Sequence, residues 1–156
     1  VITNQPLLLD TLVTIGLSML PVFELRWAIP YAIGILKMPV LLAFVASLFG
    51  NIVAVVVLLK FLDPLIKYLF AHSPFLRKHL EKYFEKLHVR HKESFNEWGS
   101  LFLALFVAIP LPGTGGWTGA LLAYLFNIPH RFAIPALITG LVGAGVIVVL
   151  VTGLFV

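Results

Sequence analysis

Glu24 and Arg26 are the only charged residues in the 26 positions between Asp10 and Lys37, a stretch otherwise dominated by apolar side chains. An ionised group at membrane depth costs a few kcal/mol even on lenient insertion scales, so such a pair is a functional hypothesis by default. The structural alternative is mutual neutralisation, yet two apolar residues would often be cheaper than a buried ion pair. A carboxylate that parts from its arginine in one conformation is pushed by desolvation toward its protonated form, which would couple movement to a proton gradient.

The second chemical segment is Pro110-Leu111-Pro112-Gly113-Thr114-Gly115-Gly116-Trp117-Thr118-Gly119. Glycines let backbone N–H groups approach a ligand, and a helix starting near Trp117 would aim its positive dipole end at it. Thr114 and Thr118 add hydroxyls. With Arg26, these residues suit a phosphate or carboxylate better than a bare cation; the alternative is a tight turn that needs glycine only to pack. A nucleotide P-loop is excluded, because no Gly-Lys-Ser/Thr follows. Trp27 and Trp117 either line a ligand path or seat at a packed tip.

Other groups carry less. His88 and His91 share a helical spacing, but no further ligand accompanies them and a solvated face is expected. Asn51 is expected to hydrogen-bond across helices, and Lys60 and Asp63 to mark a membrane interface. The chain has no cysteine, which removes thiolate chemistry and cysteine metal sites. No nucleophile–base–acid set, paired carboxylates or metal cluster is assembled, so no enzyme activity, metal or cofactor is expected.

What must position these residues follows from length. Residues 98–130 run for 33 positions without charge. A bilayer core of about 30 Å takes about 20 helical residues, so the run is too long for one span and too short for two. The prolines and glycines leave two arms, 98–109 and 120–130, each about half a membrane long. A re-entrant hairpin is expected, its tip buried in protein or lining a polar cavity. Arms 11–23 and 27–36, broken at 21–26, predict a second hairpin. A shift of 90 residues superposes Trp27 on Trp117, Pro39 on Pro129, Ala43 on Ala133, Ala46 on Ala136, Gly50 on Gly140 and Ala54 on Ala144.

Each hairpin leads into an uncharged run long enough to cross, 38–59 and 132–156, with small residues four apart. That spacing permits close helix packing, within one subunit or across a dimer. A hairpin plus a span crosses an odd number of times, so the second copy must be inverted, as in many transporters. Arg77 to Glu97 holds six basic and four acidic residues, which places the loop 60–98 in the cytoplasm. Ser73-Pro74 starts a predicted amphipathic helix carrying Leu76, Leu80, Tyr83, Phe84 and Leu87. The composition, 60% hydrophobic and 12% charged with mean hydropathy +1.04, agrees with one polytopic membrane domain over 1–156. The repeats cover about 7–60 and 99–156, joined by 61–98. The net charge of +4 is concentrated in one loop, which argues against nucleic acid.

Glu24-Leu25-Arg26-Trp27-Ala28-Ile29-Pro30 resembles the Glu-Leu-Arg-Gly-Ala-Ile-Pro motif of the small multidrug export proteins, with Trp27 replacing glycine. Pro110 to Gly119 resembles their second motif. That family is similar to the wider DedA-like group, whose members have paired re-entrant hairpins and are linked to moving phosphate-bearing lipid carriers across bacterial membranes. DedA-like proteins usually carry further arginines in the second hairpin, where this chain has glycine and threonine. The resemblance implies an all-α integral protein of a prokaryotic inner membrane. It also implies a secondary transporter or flippase for an amphipathic molecule or phosphate-bearing lipid. Glu24 would be its proton-linked acid and Arg26 its anion contact. Membrane lipids and protons are the expected partners, and a homodimer would shield the hairpins. The alternative is a non-transporting scaffold or assembly factor.

Overall fold

A computed structural model of the chain describes residues 5–75, 77–78, 82 and 95–155. Among these are six α-helices and no strand: α1 (Gln5–Met19), α2 (Glu24–Gly34), α3 (Val40–His72), α4 (Phe95–Ala108), α5 (Gly116–Leu125) and α6 (His130–Gly153). Two of them, α3 and α6, are long and apolar enough to cross a membrane. The other four are short and come as pairs, α1 with α2 and α4 with α5, separated by breaks at 20–23 and 109–115.

Local chemistry sets these breaks. Pro21 offers no N–H and disfavours a helical residue before it, which stops α1. The chain then turns through Glu24, whose φ of 48° is rare for a residue with a side chain. In the second break the Thr114 N–H donates to the Leu111 carbonyl at 3.2 Å across Pro112 and Gly113. Gly113 has φ 85° and open space around it, so the backbone conformation, not packing, requires glycine there.

Positions 90 residues apart adopt the same local geometry at the entries to the long helices. Lys37 and Asn127 both have φ 55°. Pro39 and Pro129 cap α3 and α6 with φ/ψ of −56°/135° and −57°/140°. Their carbonyls accept the N–H of Ala43 and Ala133 at 3.0 and 2.9 Å. Proline suits this place because it lacks the donor that a first helical turn leaves unused.

The small-residue stripes are consumed inside one chain. A Cβ on Gly140 would meet the Ala104 carbonyl at 2.7 Å, and one on Gly50 would collide with Ser18 and the Ile15 carbonyl. Thus α3 packs against α1 and α6 against α4, with Ala43, Ala46, Ala136 and Ala144 buried between neighbouring helices. Leu25, Ile29, Val55, Leu103, Val107, Leu137 and Leu141 fill the centre. The outer surface is also apolar: Leu8, Leu12, Leu41, Val45, Phe49, Val146 and Leu150 are exposed. So broad an apolar exterior is foreign to a water-facing monomer and natural against lipid.

The charged end of α3 departs from expectation. The helix does not end near residue 60 but continues through Lys60, Asp63 and Pro64 to His72. Charge ends the apolar run without ending the helix, and Lys67 and Asp63 pair across one exposed turn at 2.6 Å. Ser73 is extended, and its carbonyl accepts the Arg77 N–H at 3.1 Å, so a helical turn does begin at Pro74. Most of the amphipathic segment beyond it, with His88 and His91, lies outside the described residues.

Candidate functional site

The two breaks meet. Glu24 is the first residue of α2 and is buried at 6% exposure. Its carboxylate accepts the Trp117 backbone N–H at 3.2 Å, and the Gly116 N–H also faces it. Gly115 caps α5 without any side-chain hydrogen bond of its own. The negative charge that a helix N-terminus favours therefore arrives from 93 residues away in sequence. A Cβ on Gly115 would fall on the Glu24 carboxylate, which explains glycine at that position.

Arg26 does the converse at the end of α4. Its guanidinium donates to the Leu111 carbonyl, to Thr114 Oγ1 at 3.1 Å and to the Ile109 carbonyl at 3.4 Å. Thr114 Oγ1 in turn lies 2.5 Å from the Ile109 carbonyl and 2.9 Å from that of Leu111. These carbonyls continue the negative end of α4, where a cation is stabilising. Glu24 and Arg26 are only loosely paired with each other, at 3.9 Å. Each charge is matched mainly to one end of the broken α4–α5 pair, so simple mutual neutralisation is not the arrangement found.

Trp117 and Trp27 take different places. The Trp117 indole N–H donates to the Met19 carbonyl at 3.2 Å, latching the second break onto the end of α1. Trp27 is 65% exposed and lines a cavity of about 670 Å³ between the breaks. That volume falls in the range of small-molecule sites. Pro21, Val22, Phe23, Glu24, Arg26 and Pro30 line it from the first break. Pro110, Pro112, Gly113, Gly115 and Thr118 line it from the second.

Ile147, Val148, Val151 and Thr152 of α6 complete the wall and had no place among the sequence candidates. The signal available was slight: Thr152 is the only polar side chain from Gly140 to the end of the chain. Of the candidates, Thr114, Gly116 and Trp117 lie behind the wall, holding it rather than facing the cavity. The expected ligand-facing N-terminus of α5 is present, but an internal carboxylate occupies it. Asn51 makes no cross-helix hydrogen bond: its side chain is buried without a partner among the described residues.

Residues 24–147 match the family model described as "Putative small multi-drug export protein". The chain belongs to the small multi-drug export protein family. The match opens on Glu24, just after the first break, and spans α2, α3, the second break and most of α6; of the cavity wall, residues 21–23 and the last residues of α6 lie outside it. Neither a curated protein nor a solved structure matches the chain. Family membership and the two long apolar helices make this a membrane protein with an export or transport role.

Proposed function

We propose that the protein is a proton-coupled secondary transporter or flippase without enzymatic activity, which moves an amphipathic molecule bearing a phosphate or similar anionic group. The observation that carries the reading is Glu24 lying on the N-terminus of α5 at the edge of the cavity. That carboxylate occupies the donors an anionic ligand would use. Protonation of Glu24 would remove its charge from the α5 amides and from Arg26, leaving both to a substrate anion. Proton and anion then bind cooperatively, because each favours the state that accepts the other.

The architecture proposed for this function is two inverted repeats, each a re-entrant hairpin followed by a span. It is supported by the matching geometry at Lys37/Asn127 and Pro39/Pro129 and by the contact between the breaks. In that arrangement the tips lie near the bilayer midplane, where irregular backbone is tolerated because it is buried in protein or lines a cavity. A homodimer in a prokaryotic inner membrane, with the loop 60–98 cytoplasmic, would cover the short helices that two spans alone leave facing lipid.

Proteoliposomes loaded with either a phosphate-bearing isoprenoid lipid or a lipophilic cation test the substrate class. The phosphate lipid is expected to move at least tenfold faster, and only with a pH gradient. Preference for the cation would point instead to drug export. Movement of neither, with fold and membrane insertion intact, would favour a scaffold.

A further inference from the structure

Ser47 and Asn51 stand one turn apart on the same face of α3, and both are fully buried. Ser47 Oγ, Asn51 Oδ1 and Asn51 Nδ2 have no hydrogen-bond partner among the described residues. Two other buried hydroxyls are satisfied within their own helix: Thr14 donates to the Asp10 carbonyl at 2.7 Å and Ser18 to the Ile15 carbonyl at 2.8 Å. Buried polar atoms without partners are uncommon and ask for a reason.

The fold contains its own control. Ninety residues on, the positions matching Ser47 and Asn51 are Leu137 and Leu141, equally buried at 0% and 1%. Leucine thus serves the packing role at the equivalent places on α6. Gly116 lies between Asn51 and Leu141: a Cβ there would stand 2.9 Å from Asn51 Oδ1 and 3.2 Å from Leu141 Cδ2. The N–H of the same glycine faces Glu24. Gly116 therefore touches both groups, its N–H facing the Glu24 carboxylate and its Cβ direction facing the Asn51 amide beside Val55.

We propose that Ser47 and Asn51 hold ordered water beneath the first turn of α5, and that this water forms the inner leg of a proton path to Glu24. Water fits better than a metal cation, because Asn51 presents a donor and an acceptor and a cation would leave the donor unpaired. A water beside Glu24 hands its proton to the carboxylate and takes one from the water behind it, so the relay itself gains no charge. Asn51 is a positioning residue and does not titrate. Glu24 is then reached from the cavity on one side and from Asn51 on the other, as alternating access requires.

Among the described residues, charges other than Arg26 are remote from this path. Arg26 is the charged neighbour of Glu24. Asp10 on α1 and Lys60 on α3 each lie nine positions along their helices from Met19 and Asn51, about 13 Å away. Asp63 and Lys67 are farther along α3. Tyr124 on α5 and His130 and Arg131 on α6 stand at the opposite ends of their helices from the cavity, and α4 has no charge from Trp98 to Ala108.

The proposal rests on the proton-linked reading of Glu24, and infrared spectroscopy in lipid nanodiscs separates the two. The Glu24 carboxyl band is identified by its loss in Glu24→Gln, and its hydrogen–deuterium exchange is timed after mixing in a Val22→Cys background whose cavity is filled by a thiol-linked apolar group, which leaves the Asn51 side as the route to the carboxyl. Asn51→Leu is expected to remain folded, with an unchanged or higher Tm, and to slow exchange at least tenfold. Asn51→Ser, which keeps a hydroxyl, should recover part of the rate. Wild-type exchange in Asn51→Leu overturns the relay while sparing Glu24. Absence of any titrating Glu24 band in the wild type overturns both. If Asn51→Leu does not fold, Ser47→Ala carries the same test, and wild-type exchange there overturns the relay.

Discussion

Gly115→Ala is expected to dismantle the site while leaving the six helices in place. The added Cβ falls on the Glu24 carboxylate, and both residues are held by backbone at the ends of packed helices. Glu24 must then swing toward the cavity, and α5 loses the negative charge at its N-terminus. Overpacking of about 1–3 kcal/mol and a lost charge–dipole contact of about 0.3–1 kcal/mol predict destabilisation of about 1–4 kcal/mol. Transport should fall at least tenfold. Gly16→Ala is the matching control, since nothing lies within 4 Å of its Cβ direction and the helix gains up to about 1 kcal/mol in propensity. Thermal unfolding in detergent compares the two; a Gly115→Ala protein with wild-type Tm and transport would contradict the geometry.

The second large effect concerns the charged pair. Glu24→Gln keeps an oxygen for the Trp117 N–H and so should fold, but it cannot exchange a proton. Its transport is expected to lose all dependence on the pH gradient and at least tenfold in rate. Arg26→Ala should cost stability as well. It leaves the Ile109 and Leu111 carbonyls without their cation and Glu24 without its charged neighbour, about 2–3 kcal/mol together for partly exposed groups. Combining the two substitutions should cost less than the sum of the singles, because removing Glu24's charge relieves the penalty for losing Arg26. Unchanged gradient dependence in Glu24→Gln would remove proton coupling from the account.

The parts of the fold legible in sequence are those set by local chemistry. Pro21 and Pro110 to Gly116 each interrupt an apolar run, so these two helix breaks follow from the residues themselves. The burial of Glu24 beside Arg26 was legible for a similar reason, since few charges are tolerated in such a run. Pairings over long separations were not. That the α5 N-terminus meets Glu24 rather than a ligand depends on two segments 93 residues apart being folded together. The α6 wall was invisible because Ile147, Val148 and Val151 look like any lipid-facing residues. The extension of α3 past Lys60 is not legible in the sequence, because charge ends the apolar surface there without ending the helix. Asn51 was visible as a polar residue in an apolar helix, but its lack of a partner could be learned only from its surroundings.

Two breaks that meet within the membrane as one site are open to bulk water on neither face. The chain has no cysteine, so single cysteines at Val22 and Pro112 can be labelled in intact and inside-out vesicles without background. Both positions are expected to resist a bulky impermeant thiol reagent from either side and to react with a small one that enters the cavity. Rapid labelling of the two by the bulky reagent from opposite faces would mean four ordinary spans and would contradict the account.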